Sequence, residues 1–244
     1  MRSIHVIGIG VGDPEQVTTQ AIRALNDTRV FFAMDKREAT SDLLALRRAV
    51  CRRFITRPDY RFVELPDPVR ARDGDYTRAV AEWHTARAGL WAGAIEAELA
   101  PGEVGSFLTW GDPSLYDSTL RILDEIARYV ELQYDVIPGI TAVQALTARH
   151  RIPLNDIGEP VMITTGRKLR AQGLSGSAVV MLDGDCAFLD CPPETRIWWG
   201  AYLGTPDEIL VSGTVGEVGH RIAASRAEAR ARHGWIMDTY LLRV

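Results

Sequence analysis

The chain has 244 residues, 46% of them hydrophobic and 25% charged, with a formal net charge of −4. That length suits one large domain or two of about 100–150 residues, and the acidic balance argues against a nucleic-acid partner, whose binding draws on a basic face. No apolar stretch approaches the roughly 18 residues of a membrane span, and the first strand starts too early for a secretion signal, so the expected setting is cytoplasmic with no membrane partner.

The opening run, Ile4-His5-Val6-Ile7-Gly8-Ile9-Gly10-Val11-Gly12-Asp13-Pro14, reads as a buried strand over 4–9 that feeds a glycine-rich turn. Glycines there let a ligand approach backbone that side chains would shield. The dinucleotide fingerprint needs a glycine at the sixth place, and counting from Gly8 that place is Asp13. A helix is expected over 14–26, a strand over 29–34 and a helix over 40–53. Asp35, just past the second strand, is the first candidate for a general base, because the carboxyl edge of an open sheet faces its ligand. Only Lys36 and Lys168 are lysines, so 26 of the 28 cations are arginine, and six arginines lie between Arg47 and Arg61. They read either as a solvated helix face or as planar forks for a substrate rich in carboxylates.

A strand over 61–65 leads into a loop over 66–75. The helix expected over 75–99 carries Val80, Trp83, Ala86, Leu90, Ala94 and Ala97 as its core-facing stripe. A strand over 105–109 stops at Gly111-Asp112-Pro113 and opens a helix over 118–130, with Tyr116 and Asp117 as further acid–base candidates. A strand over 134–137 repeats that design at Pro138-Gly139-Ile140-Thr141-Ala142, before a helix over 140–149. The break at Ile152-Pro153 divides the chain into domains 1–156 and 157–244. Strands follow over 160–165, 177–182, 196–202, 207–212 and 236–243, the last antiparallel, and the clearest helix spans 214–232. Cys51, Cys186 and Cys191 form no even disulfide framework and lack histidines at zinc spacing, which predicts reduced thiols and no metal. His5 reads as a satisfied core residue; His84, His150, His220 and His233 show no partner. Arg167 and Lys168 read as a loop end open to substrate carboxylates.

Taken in order, these turns resemble the tetrapyrrole (corrin and porphyrin) methylase family over essentially the whole chain. The resemblance rests on Gly8, Gly10, Gly12 and Asp13 with Val17-Thr18, on Gly111-Asp112-Pro113, and on Pro138 to Ala142. One departure is Val11, where many relatives carry proline. The resemblance implies an α/β fold of two α/β/α domains with the cofactor in the cleft between them. It implies S-adenosylmethionine as methyl donor, S-adenosylhomocysteine as product, a polycarboxylate tetrapyrrole precursor as substrate, and a homodimer. Cofactor contacts carried over by motif are Val11, Trp110, Gly111, Asp112, Leu115, Thr141, Ala142, Met181 and Gly213; the catalytic candidates remain Asp35 and, second, Tyr116, from their places after the strand and the turn. Met181 and Leu182 would wall the adenine. Asp112 could serve the cofactor or merely brace its own turn.

Within the family, the runs Phe31 to Lys36, Ala148 to Asn155, Ile157 to Pro160, Ile163 to Arg167 and Ile209 to Glu217 resemble the branch that methylates C-1 of a corrin precursor and releases acetate. Two alternatives stay open. One is a family methyltransferase acting on another ring carbon or another large substrate. The other is a nicotinamide-dependent dehydrogenase, for which Asp35 would be the ribose ligand about 20 residues beyond the turn.

Overall fold

The computed structural model describes the main chain of residues 1–35, 41–68 and 76–244, but not the side chains of Asp35, Ser41, Asp42, Tyr76 and Thr77. Two compact units emerge, Met1–Gly10 with Pro14–Ile140, and Val11–Asp13 with Thr141–Val244.

The first unit is built on a parallel five-stranded sheet of β1 (Arg2–Gly8), β2 (Val30–Asp35), β3 (Arg61–Pro66), β4 (Val104–Thr109) and β5 (Leu132–Ile137), in the order β3-β2-β4-β1-β5. Its inner strands β1, β2 and β4 are buried on both faces because helices cover both. Ile4, Val6, Val30, Phe32 and Phe107 point to one face, where α3 (Tyr76–Glu98) and α4 (Thr119–Ile126) pack. The alternate residues Ile7, Phe31 and Leu108 point to the other, under α1 (Thr19–Asp27) and α2 (Ser41–Phe54). Thr18 caps α1 by accepting the Ala21 N–H at 3.0 Å.

The second unit holds a mixed sheet of β6 (Val161–Thr165), β7 (Ser177–Met181), β8 (Arg196–Ala201), β9 (Ile209–Thr214) and β10 (Asp238–Arg243), in the order β6-β7-β10-β8-β9. β10 lies antiparallel to both β7 and β8, as expected of the last strand. Ala178, Val180, Ile197, Trp199, Tyr240 and Leu242 pack beneath α6 (Gly166–Gln172) and α7 (Val215–His233). The opposite face is covered by α5 (Ala142–His150), which packs on β8, β9 and β10. Among the described residues, no helix is long and apolar enough to cross a membrane.

Several expectations shift. The division falls at Ile140/Thr141 instead of 156/157, because α5 contributes its apolar face to the second sheet and not the first. The expected helix over 118–130 ends at Ile126. Arg167 and Lys168 lie within α6, a helix capped by Thr165, and not in a loop. Most of the expected loop, 69–75, and Lys36 lie outside the described residues.

The core stripe of α3 is also displaced. Ala88, Trp91 and Ile95 are its buried apolar set, continued by Leu99 just past its end, while Leu90 is 40% exposed. Trp91 stacks on Phe107 at 4.2 Å between ring centroids and donates its Nε1 to the Met34 sulfur at 2.9 Å. The register is turned by Arg87, which is buried, pairs with Asp67 at 2.7 Å and lies 3.7 Å over the Trp83 ring. Accordingly Trp91→Ala should lose about 3–5 kcal/mol in denaturant unfolding, and Leu90→Ala no more than about 0.5 kcal/mol. Equal losses would contradict this orientation of the helix.

Candidate functional site

In the first sheet β4, β1 and β5 are neighbours, so the three glycine-bearing turns of the sequence leave adjacent strands. β1 is followed by α1 on one face and β4 by α4 on the other. Two adjacent parallel strands whose following helices diverge in this way leave a crevice at their carboxyl ends, where open α/β sheets take ligands.

The turns meet there backbone to backbone. The Gly111 N–H donates to the Gly10 carbonyl at 2.8 Å. A Cβ on Gly8 would lie 2.6 Å from Gly139 N and 2.7 Å from Gly111 O, and one on Gly139 would lie 2.1 Å from Gly111 O. Asp112 fastens this arrangement. One carboxylate oxygen accepts the Ser114 N–H at 2.8 Å and the Ser114 hydroxyl, and the other accepts the Gly139 N–H at 2.8 Å. Burial alone raises the Asp112 pKa, but these hydrogen bonds outweigh it and hold the group below its ordinary value. Both oxygens of Asp112 therefore bind the second turn to the third.

Two buried polar atoms at these turns have no hydrogen-bond partner: Trp110 Nε1, a donor, and Gln16 Oε1, an acceptor. Trp110 precedes Gly111, and the Gln16 Cβ is 3.1 Å from where a Cβ of Gly10 would stand. Unpaired buried groups of this kind are costly, and a bound ligand carrying both acceptors and donors satisfies them, so these residues fit a nucleoside-type cofactor. Leu115 follows in the same turn, donating its N–H to the Asp112 carbonyl at 3.2 Å. Nothing in the sequence marked Gln16.

In the second unit, Val11 is buried and Gly12 has φ +139°, with Thr205 Cγ2 only 2.6 Å from where its Cβ would be. Thr141 caps α5 through its hydroxyl, which accepts the Val143 N–H at 3.1 Å, and Gln144 reciprocates to the Thr141 N–H at 3.2 Å. Ala142 opens the helix. Met181 ends β7, and Leu182 after it has φ +52° and is 67% exposed. An unbranched-at-Cβ but bulky residue in left-handed backbone, pointing to solvent, stores strain that its surroundings must impose. They do so through Asp183, which accepts the Asp185 N–H at 3.0 Å, and the Ala187 N–H and Tyr240 hydroxyl at 2.7 Å each. Arg226 donates to the carbonyls of Asp183 and Gly184 and pairs with Asp238 at 3.0 Å. Gly166 has no Cβ because Asp183 Oδ1 would stand 2.2 Å away.

Gly213 is placed differently. It pairs with Ile197, at the level of Leu242 and Ala178, whereas Met181 pairs with Thr239 at the level of Gly200. The two lie toward opposite ends of the sheet. Val218 Cγ1, 2.7 Å from where a Cβ would be, accounts for the glycine.

Asp35 ends β2 at the carboxyl edge, and its side chain lies outside the described residues. Tyr116 has φ +52° and is 44% exposed, and partial desolvation raises its phenol pKa. Asp117 accepts the Thr119 N–H at 2.7 Å and so braces the start of α4. His5 is not satisfied: Nδ1 makes no hydrogen bond and lies 3.9 Å from Asp135 Oδ2. His84, His150 and His233 do have partners, namely Ser118, the Trp199 carbonyl, and Asp207 with the Tyr202 ring. The cysteines are free thiols, and burial pushes Cys51 up to about 12.

A family model for the tetrapyrrole (corrin/porphyrin) methylases matches residues 3–219. A deacetylating precorrin-6A synthase of Sinorhizobium sp is 51% identical over an alignment covering 100% of this chain and 95% of that one. The crystal structure of a cobalamin-synthesis-related protein (CobF) of Corynebacterium diphtheriae superposes with a TM-score of 0.87 at 44% identity, covering 100% of this chain and 98% of that one. A uroporphyrin-III C-methyltransferase of Thermus thermophilus, crystallised with S-adenosylhomocysteine, shares the fold at a TM-score of 0.61 and 19% identity, covering 99% and 97%.

The Asp112 clamp has a pH signature. A carboxyl whose folded pKa is depressed contributes stability that is full above its unfolded pKa and is lost as pH falls through the folded value. Asp112→Ala should therefore cost about 1–3 kcal/mol in denaturant unfolding at neutral pH, with the gap to the parent protein shrinking as the pH falls below the ordinary aspartate value of about 3.9. A gap independent of pH would contradict the clamp.

Proposed function

The chain belongs to the tetrapyrrole (corrin/porphyrin) methylases, and on that premise we propose that it methylates C-1 of precorrin-5 and releases the extruded acetyl group as acetate, giving precorrin-6A. The observation that carries this reading is 51% identity across the whole chain to a deacetylating precorrin-6A synthase. Family membership leaves no place for the dehydrogenase alternative, and it gives the crevice between β1 and β4 a use that the missing sixth-place glycine denies to a dinucleotide.

S-adenosylmethionine, when bound, supplies a sulfonium methyl that is already electrophilic. This chain's residues have then to bind it, hold the ring carbon in line with it and keep water from the methyl. In the first unit, main-chain groups of Trp110 and Gly111 form the proposed seat, and the Trp110 and Gln16 side chains supply the donor and acceptor that the fold leaves unpaired; Val11, Thr141 and Ala142 are further proposed contacts by motif order. Asp112 serves this seat by fixing Gly139 to the Gly111 turn. Leu115, Met181 and Leu182 offer apolar walls. Gly213 remains in the proposed set on motif order alone.

Deacetylation adds the elements of water across the bond to the acyl carbon, so the oxygen leaves in acetate and a base must take a proton. Asp35, at the carboxyl edge of β2, is the proposed base. Tyr116, a phenol protonated at neutral pH whose pKa partial desolvation raises further, is the proposed hydrogen-bond donor for a developing oxyanion. We place the enzyme in the cytoplasm as a homodimer. The second reading is supported by apolar side chains exposed along 157–163, where Ile157 is fully exposed and Met162 and Ile163 on edge strand β6 are 37% and 43% exposed.

Incubation with precorrin-5 and S-adenosylmethionine bearing a carbon-13 methyl should place the label on C-1, with one acetate released per methyl transferred. Label on another ring carbon, or methylation without acetate, would transfer the enzyme to another branch of its family.

A further inference from the structure

The six arginines between Arg47 and Arg61 do not act as a group. Arg48 pairs with Glu64 at 2.6 Å and Arg61 with Glu98 at 2.6 Å, while Arg53 pairs with Glu15 and Arg57 with Asp59. Arg52 is exposed beside Pro58 and Tyr60 at a shallow opening on the outer strand β3. Arg47 alone turns inward to the carboxyl edge of the sheet. Its Nε donates to the Leu108 carbonyl at 3.0 Å and its Nη1 to the Leu43 carbonyl at 3.2 Å.

The reason for this position lies in the strand ladder. β2 and β4 stop pairing at Phe32↔Phe107, although β2 continues along β3 as far as Asp35. Thr109 gives its carbonyl to Ile9 on the β1 side, so the carbonyl before it, on Leu108, points toward the gap that β2 has left. The Arg47 guanidinium occupies that gap, two residues before the Trp110-Gly111 turn and on the side where Asp35 ends its strand. Its two hydrogen bonds go to neutral carbonyls, and among the described residues no carboxylate pairs with it. A part-buried cation without a counter-ion gives up hydration at a cost, and that loss pulls the Arg47 pKa down despite the field of Asp117.

We propose that the counter-ion is the substrate: Arg47 binds a carboxylate of the tetrapyrrole's acetate or propionate edge and so sets which side of the macrocycle faces the methyl donor. This rests on the tetrapyrrole reading above, but its test does not depend on turnover. Full-length protein, Arg47→Gln, Arg47→Lys and the surface control Arg53→Gln would be titrated with a polycarboxylated porphyrin by absorbance and, separately, with S-adenosylhomocysteine by calorimetry. The parent protein and Arg53→Gln should bind the porphyrin alike. Arg47→Gln should bind it at least tenfold more weakly and Arg47→Lys to an intermediate degree, since the lysine keeps the charge and loses the fork, with S-adenosylhomocysteine affinity unchanged in all. A folded Arg47→Gln within twofold of the parent for the porphyrin overturns the proposal, as does a loss confined to S-adenosylhomocysteine. Should Arg47→Gln not fold, an Arg47→Lys variant equal to the parent overturns it in the same way. If the porphyrin binds as expected while precorrin-5 is not turned over, the reaction assignment fails and the Arg47 assignment stands.

Discussion

Three turns from distant parts of the chain can meet only because nothing larger than hydrogen stands on the α-carbons between them. Gly139 leaves no room for a Cβ against the Gly111 carbonyl, and Gly8 none against either neighbour. Everything proposed for the site depends on this contact. It lets main-chain groups of separate loops form one surface, and it needs a fastener, since backbone contact alone is weakly directional. Asp112 is that fastener, a short-range turn residue in sequence and a long-range tether in space.

The second unit solves a similar problem by different chemistry. Its loop after β7 is held by a buried charged network instead of glycine contact. Asp183, Arg226, Asp238, Trp199 and Tyr240 share hydrogen bonds that satisfy one another's polar atoms. Such a network is costly if any member is lost, and it holds Leu182 outward in backbone that leucine does not choose. Strain of this sort persists where the surroundings over-determine it, commonly beside a ligand.

The strands and the three glycine turns were legible in the sequence because each is a local event. An apolar run ending in glycine has few other folded uses, and β1, β4 and β5 fall within a few residues of where the pattern put them. What escaped was set by contacts between segments. The face of α3 was misread because alanine is spread around the helix, and burial of Arg87 against Asp67 and Trp83 decided the register. The short, cationic α6 carries too few apolar residues to show a period. The boundary moved because a proline marks where a helix ends and not which sheet it covers. Asp112 had two readings in sequence; only the Gly139 amide separates them. Gln16 and Arg47 carry no motif, and their importance lies in a missing partner, which only a folded structure displays.

The central claim is that the backbone turns at the carboxyl edge of the first sheet receive the methyl donor. Amide-resolved NMR of the full chain titrated with S-adenosylhomocysteine tests it most directly. The account predicts saturable shifts concentrated at Gly10–Val11, at Trp110 to Leu115 with the Trp110 indole N–H, and at Gly139 to Ala142. Saturable shifts that leave these amides unmoved and cluster elsewhere, as around Arg48, Arg52 and Tyr60, would contradict it.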